Sequence, residues 1–182
     1  SSVMYSKCAG VGSKNEHVVQ QVEIAKALIE RGNKVLLVPH TLRPSNQDPR
    51  QCDLVVSRLV YGLLSKPEVG LLDEDLSPKQ LKSVIANASF HVGARYHSLI
   101  AALSSHVPAI SISWHPKYQD LMRSYGLEEF ILNGADTQNI AELIDKLSAQ
   151  KFALRELIKQ RQAYLSQQVV ENCKMFVELL GH

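Results

Sequence analysis

The 182-residue sequence is poor in the features that would assign it to a special class. It holds three cysteines, Cys8, Cys52 and Cys173, far apart and without a CxxC pair. That argues against a disulfide framework or a zinc knuckle and leads to the expectation of a reducing, cytoplasmic setting. No apolar run approaches the roughly 20 residues that span a bilayer, so no transmembrane segment is expected, and no signal-peptide pattern opens the chain. An excess of one charge is lacking too: 20 Lys and Arg stand against 18 Asp and Glu, a net +2. The basic residues form no long run, which argues against a nucleic-acid partner. The densest stretch, Lys151 to Arg161, interleaves basic with apolar residues and Glu156, and reads as the wet face of a helix. Internal repeats and low-complexity segments are absent. There is no Gly-x-Ser-x-Gly elbow for acyl transfer. His91, His97, His106 and His115 lack the i, i+4 spacing of helical metal ligands, so neither a metal nor a cofactor is expected.

What is present is ordinary for a folded domain: 45% hydrophobic and 21% charged residues, on a chain long enough to bury about 70% of its unfolded surface. Helical and strand signals alternate, the pattern of a mostly parallel sheet with helices on its faces. The apolar periodicity predicts a helix over Glu16 to Arg31, stopped by Gly32-Asn33. Val35-Leu36-Leu37-Val38 then reads as a strand buried on both faces, followed by a loop over His40 to Pro44. A helix is expected from about Asp48 to Leu64 with Pro49 in its first turn, a strand at Val69 to Leu72, and an acidic loop at Asp73-Glu74-Asp75. Ser77 and Pro78 open the next helix. Ser89 to Val92 is the next strand, broken by Gly93, with a helix from about Arg95 to Ser105. Pro108 to Ser113 (strand), Pro116 to Tyr125 (helix) and Phe130 to Leu132 (strand) follow. Two closing helices are expected, over about Thr137 to Leu147 and Leu154 to Leu180. The expected organisation is a Rossmann-like domain over residues 1–150 and an appended helix over 151–182. A doubly wound domain opens with a strand, yet only Val3-Met4-Tyr5 is available for one; either that strand is very short or the chain starts inside or just after it.

Two glycine-bearing segments invite functional readings. Gly10-Val11-Gly12 lacks the third glycine of a dinucleotide loop, with Asn15 in its place, and no good strand precedes it. It reads as a loop, with Lys14 free to touch an anion. Phe90 to Leu99 says more. A strand ends, Gly93 and Ala94 turn, and a helix starts with Arg95, His97 and Ser98 in its first turn. Such a start offers free N–H groups and partial positive charge to a phosphate or carboxylate. Arg95 can add a bidentate grip and His97 can transfer a proton near neutral pH. The alternative is an Arg95 paired with a nearby acid and a His97 packed under a loop. In open α/β sheets ligands bind beyond the carboxyl ends of the strands. His40, Asp73 to Asp75, Arg95 with His97, and Trp114 to Lys117 are all expected there.

Several of these runs, in order, resemble the carboxyl-terminal half of the polysaccharide pyruvyl transferases. They are Val38-Pro39-His40, Leu71-Leu72-Asp73-Glu74-Asp75-Leu76-Ser77-Pro78, Ala94-Arg95-Tyr96-His97-Ser98-Leu99-Ile100-Ala101-Ala102-Leu103, Val107-Pro108-Ala109-Ile110, His115-Pro116-Lys117-Tyr118 and Tyr125-Gly126-Leu127. The resemblance covers about residues 15 to 135. It implies an α/β fold like the carboxyl-terminal half of a GT-B enzyme. The implied reaction moves a pyruvyl group from phosphoenolpyruvate onto a sugar hydroxyl pair, giving a ketal and phosphate. Arg95 and His97 match the family's Arg-x-His, and Lys117 its lysine after the following strand. The resemblance implies catalytic roles for His97 and Arg95, with Gly93, Ala94, Ser98, Lys117 and His40 at the donor. Members of the family are about twice as long, so a missing amino-terminal domain is the expected partner and this chain is expected to fold but not turn over alone. Two other functions stay open: a GT-B glycosyltransferase or sugar-nucleotide epimerase domain binding a nucleoside diphospho-sugar, and a non-catalytic binding module.

Overall fold

The computed structural model describes residues 1–42, 45, 47–134 and 137–180. The first element is α1 (Ser2–Lys7), where Ser1 caps the helix and Met4 and Tyr5 are buried. The only candidate for an opening strand is therefore helical: a serine at the N-cap and two large side chains one turn from their neighbours favour the helix over an isolated extended triplet. A 3-10 turn at Gly12–Lys14 leads to α2 (Glu16–Glu30), capped by the Asn15 side chain and close to its expected bounds.

Then come β1 (Val35–Leu37), α3 (Asp53–Leu64), β2 (Val69–Leu71) and α4 (Pro78–Ala86). Helix α3 starts later than expected, because residues 49–51 form a turn closed by Gln51 and Cys52 N–H groups on the Asp48 carbonyl. Arg43 and Pro44 of the expected loop lie outside the described residues. Helix α4 opens with a capping box, Ser77 and Gln80 bonding reciprocally, and Pro78 at its first position. The second part of the chain holds β3 (His91–Gly93), α5 (Tyr96–Leu103), β4 (Ala109–Ser113), α6 (Pro116–Ser124), β5 (Ile131–Asn133) and α7 (Ile140–Leu180).

All strand pairs are parallel, and helices flank them, so the α/β class holds. The strands form two sheets: β1 with β2, and β3-β4-β5 with β4 central. Two apolar clusters fill the interior, and α2 contributes to both. One joins α2, α3 and β2 through Val18, Val22, Val56 and Val60. The larger surrounds β4, whose five residues are all buried, with α5, α6 and the start of α7. The expectation of a first strand buried on both faces fails at β1, where Leu36 is 50% exposed. One edge of β1 pairs with β2; among the described residues the other edge pairs with no strand.

The two expected closing helices are one, α7, 41 residues long. Residues 148–153 contain no Gly or Pro, so nothing there breaks it. Its first half packs on the core through Ile144, Leu147, Leu154 and Ile158, and beyond Leu165 every described residue is exposed. No helix among the described residues is long and apolar enough to cross a membrane.

Candidate functional site

The carboxyl ends of β1 and β3 are tied together by one carboxylate. Asp53, the first residue of α3, is 2% exposed. A buried carboxylate needs several donors to hold its charge, and Asp53 has five. Its oxygens accept from the backbone N–H of Ser2 at 2.5 Å, His40 at 3.2 Å and Thr41 at 3.1 Å. They also accept from Arg95 Nε at 2.9 Å and Nη2 at 2.6 Å. Burial pushes the Asp53 pKa up. The Arg95 hydrogen bonds and the neighbouring positive charges outweigh it and hold the carboxyl well below the usual range.

Arg95 is the N-cap residue of α5 and lines the cavity beside β1 and β3. Its fork is engaged by Asp53, the alternative left open by the sequence, and Nη2 also donates to Ser2 Oγ at 2.7 Å. Nη1 has no partner among the described residues, so the guanidinium is held rigidly with donor capacity left over. His97 is the second residue of α5, exposed, its ring edge-on to Tyr96 with centroids 6.1 Å apart. His40 lies at the end of β1. Desolvation lowers its pKa, Asp53 opposes that, and the Arg95 and His97 charges lower it further, so His40 is neutral at pH 7. Its Nε2 is buried without a hydrogen-bond partner among the described residues.

The other expected site residues also make internal contacts. A Cβ on Gly93 would come within 2.6 Å of His91 Nε2 and 2.9 Å of Ser98 Oγ, so this position needs glycine for close packing. Ser98 is buried, donates to the Arg95 carbonyl at 2.8 Å, meets His91 Nε2 at 2.9 Å and lines the same cavity as Arg95 and His40. Desolvation lowers the His91 pKa to about 4. The Ala94 carbonyl gathers Trp114 Nε1 at 3.4 Å, Tyr118 OH at 3.3 Å and Ser1 Oγ at 3.5 Å. It fixes β3 to the start of α6. Lys117 is exposed over three rings, its Nζ lying 5.0, 5.6 and 5.7 Å from the centroids of Tyr96, Trp114 and Tyr118. Asp73 to Asp75 are exposed on the loop before α4. The acidic loop stands out in the sequence, whereas the carboxylate at the centre of the cluster is Asp53. Its signal is faint: a single acid opening an otherwise apolar helix.

The cluster is thus an edge with one buried, fully bonded acid, a fixed arginine, two histidines and a lysine held on aromatic faces. Its spare capacity is for a small anion with a proton acceptor: Arg95 Nη1, the N–H groups of the α5 first turn, His40 and His97. A family model described as polysaccharide pyruvyl transferase matches residues 7–116, which contain His40, Asp53, Arg95 and His97 but not Ser1, Ser2, Lys117 or Tyr118. No curated protein and no solved structure matches the chain.

Proposed function

Because the chain belongs to the polysaccharide pyruvyl transferase family, we propose that the edge built on Asp53, Arg95, His40 and His97 binds phosphoenolpyruvate and transfers its pyruvyl group to a sugar hydroxyl pair. The single observation carrying this reading is the Asp53–Arg95 fork. It fixes a cation beside the N–H groups of the α5 first turn, with His97 exposed two residues on and His40 Nε2, unpartnered among the described residues, lining the same edge. Asp53 is a positioning residue, and Arg95 meets the donor's phosphate or carboxylate through Nη1. Lys117, presented on Tyr96, Trp114 and Tyr118, adds positive charge from the far side.

In the proposed reaction a proton passes to the donor's methylene carbon, making it a methyl group and leaving an oxocarbenium centre at the adjacent carbon. One sugar hydroxyl adds there and loses its proton. The carbon–oxygen bond to phosphate breaks, and the second hydroxyl adds and loses its proton, closing the ketal. Two protons leave the hydroxyls, one is consumed at the methyl group, and phosphate carries the other. His97 moves the proton. Fixed donors aimed at the developing charge act by preorganisation, and losing one costs on the order of 10²–10³ in rate.

In this reading residues 1–150 form the α/β unit and 151–182 an appended helix. The open side of the site, where His97 and Lys117 meet solvent, receives a second, GT-B-like α/β unit that brings the acceptor, and the enzyme works in the cytoplasm. The 182 residues alone then fold without turning over; phosphate release from phosphoenolpyruvate and acceptor by this chain would overturn that point. The catalytic assignment is tested by phosphate release in a form of the enzyme that turns over. His97→Ala is expected to lower kcat by roughly 10²–10³, and an unchanged kcat would remove His97 from the chemistry.

A further inference from the structure

A slot of about 870 Å³ lies between the two sheets. One wall is the continuous run of residues 32–40, which contains β1; the other is the continuous run 87–95, which contains β3. Helix α2 closes it with Ile24, Ala25 and Leu28, and α4 contributes Val84 and Ile85. Two parallel strands thus face each other across a gap covered by apolar side chains of α2 and α4, and among the described residues no ladder joins them.

The hydrogen-bond register says what the gap presents. Val35 N–H donates to Glu68 and the Leu37 carbonyl accepts from Leu72, so the odd-numbered residues of β1 serve β2. His91 N–H donates to Pro108, so the odd-numbered residues of β3 serve β4. In a parallel ladder, alternate residues turn their N–H and C=O to opposite sides. Leu36 and Val92 therefore point their backbone groups into the slot. Bare edges of this kind are templates for another strand, and an unpaired buried backbone group is costly.

We propose that this slot takes one extended, apolar polypeptide segment as a parallel strand between β1 and β3, joining the two sheets into one. Its carboxyl end lies beside Ser1, which lines the slot at the Asp53–Arg95 end. Strand order supports the proposal. The observed orders β2-β1 and β3-β4-β5 become the doubly wound order 3-2-1-4-5-6 when the slot supplies its strand 1. Volume agrees: a strand residue in a sheet occupies roughly 160 Å³ at ~4.8 Å strand spacing, ~10 Å sheet spacing and ~3.3 Å rise, so the cavity holds about five residues. Gln21, whose Nε2 is buried without a partner among the described residues, also lines the slot and can bond the incoming backbone. The inference is independent of the reaction assigned to the edge.

The test fuses a six-residue Val/Ile/Thr segment directly ahead of Ser1 and compares it with the untouched chain and with a fusion carrying Pro at two central positions. Amide hydrogen exchange and thermal unfolding are measured on all three. The Val/Ile/Thr fusion is expected to slow exchange at Leu36 and Val92 by at least about tenfold and to raise Tm by several degrees. The Pro-bearing fusion, unable to donate to a ladder, is expected to do neither. Unchanged exchange at both amides, or equal protection by the Pro-bearing fusion, would overturn the proposal. Protection that appears in the untouched chain as protein concentration rises would assign the slot to a second copy, and would overturn it equally.

Discussion

The β3-β4-β5 sheet and the β1-β2 sheet are made from the same kind of residues and end in different states. In the first, Ala109 to Ser113 of the central strand have a hydrogen-bonded neighbour on each side and helices above and below, and all five are buried. In the second, Val35 to Leu37 have a neighbour on one side only, and Leu36 is half exposed although it is as apolar as Ile110. Burial of a strand is thus a property of its neighbours rather than of its composition. The two halves share apolar packing, with Met4, Ile24, Ala27 and Leu28 set in the larger cluster, and a polar strut: Asp53, His40 and Thr41 on one side, Arg95 on the other.

That polar strut is where the comparison is most breakable. Asp53→Ala removes the partner of a three-quarters-buried arginine and leaves three backbone N–H groups unpaired. It is expected to cost ~3–5 kcal/mol, the range for breaking a buried pair, read as a shift of the urea midpoint. A loss under about 1 kcal/mol, as for a surface pair, would mean that the halves do not depend on it.

The apolar contrast comes next. Ile110→Ala in β4 is expected to cost about 2–5 kcal/mol. Leu36→Ala in β1 is expected to stay within about 0.5 kcal/mol, as for an exposed site. Equal losses would contradict the difference in burial on which the comparison rests.

The smallest effect is in pH. His91 has a folded pKa near 4, below its ordinary 6.5. The unfolded chain therefore takes up a proton between pH 6.5 and about 4 that the folded chain refuses, and stability falls as pH falls through that window. Asp53 acts lower down: its depressed pKa contributes stability that is complete above the ordinary carboxylate range and is lost as pH falls below it. His91→Gln is expected to flatten the slope between pH 6.5 and 4 without changing the acid limb below. An unchanged slope would show that His91 does not titrate with folding.

How much of this was legible in the residues varies with the range of the interaction. Helix α2, the Ser77-Pro78 start of α4 and the break near Gly93 rest on local rules of periodicity, capping and packing, and they appear within a residue or two of expectation. Helix α1 was missed because Val3-Met4-Tyr5 has strand character and only its packing decides otherwise. The single long α7 was split because a polar surface interrupts the apolar period without any residue that breaks a helix. At the edge, the sequence places Arg95, His97 and His40 at strand ends; Arg95 and the His40 N–H meet on Asp53, and His97 is exposed. Asp53 was missed because its partners lie 12, 13, 42 and 51 residues away in sequence. The bond of Ser98 to His91 is hidden for a related reason: His91 belongs to the strand before it.

What binds at this edge decides the matter most directly. Phosphoenolpyruvate titrated into the isotope-labelled chain should shift the backbone amides of Tyr96 and His97 and the imidazole of His40. Leu36 should stay in place, and a nucleoside diphospho-sugar should give no matching shifts. Saturation by the diphospho-sugar with no response to phosphoenolpyruvate at these three residues would contradict the assignment of the edge to the pyruvyl donor.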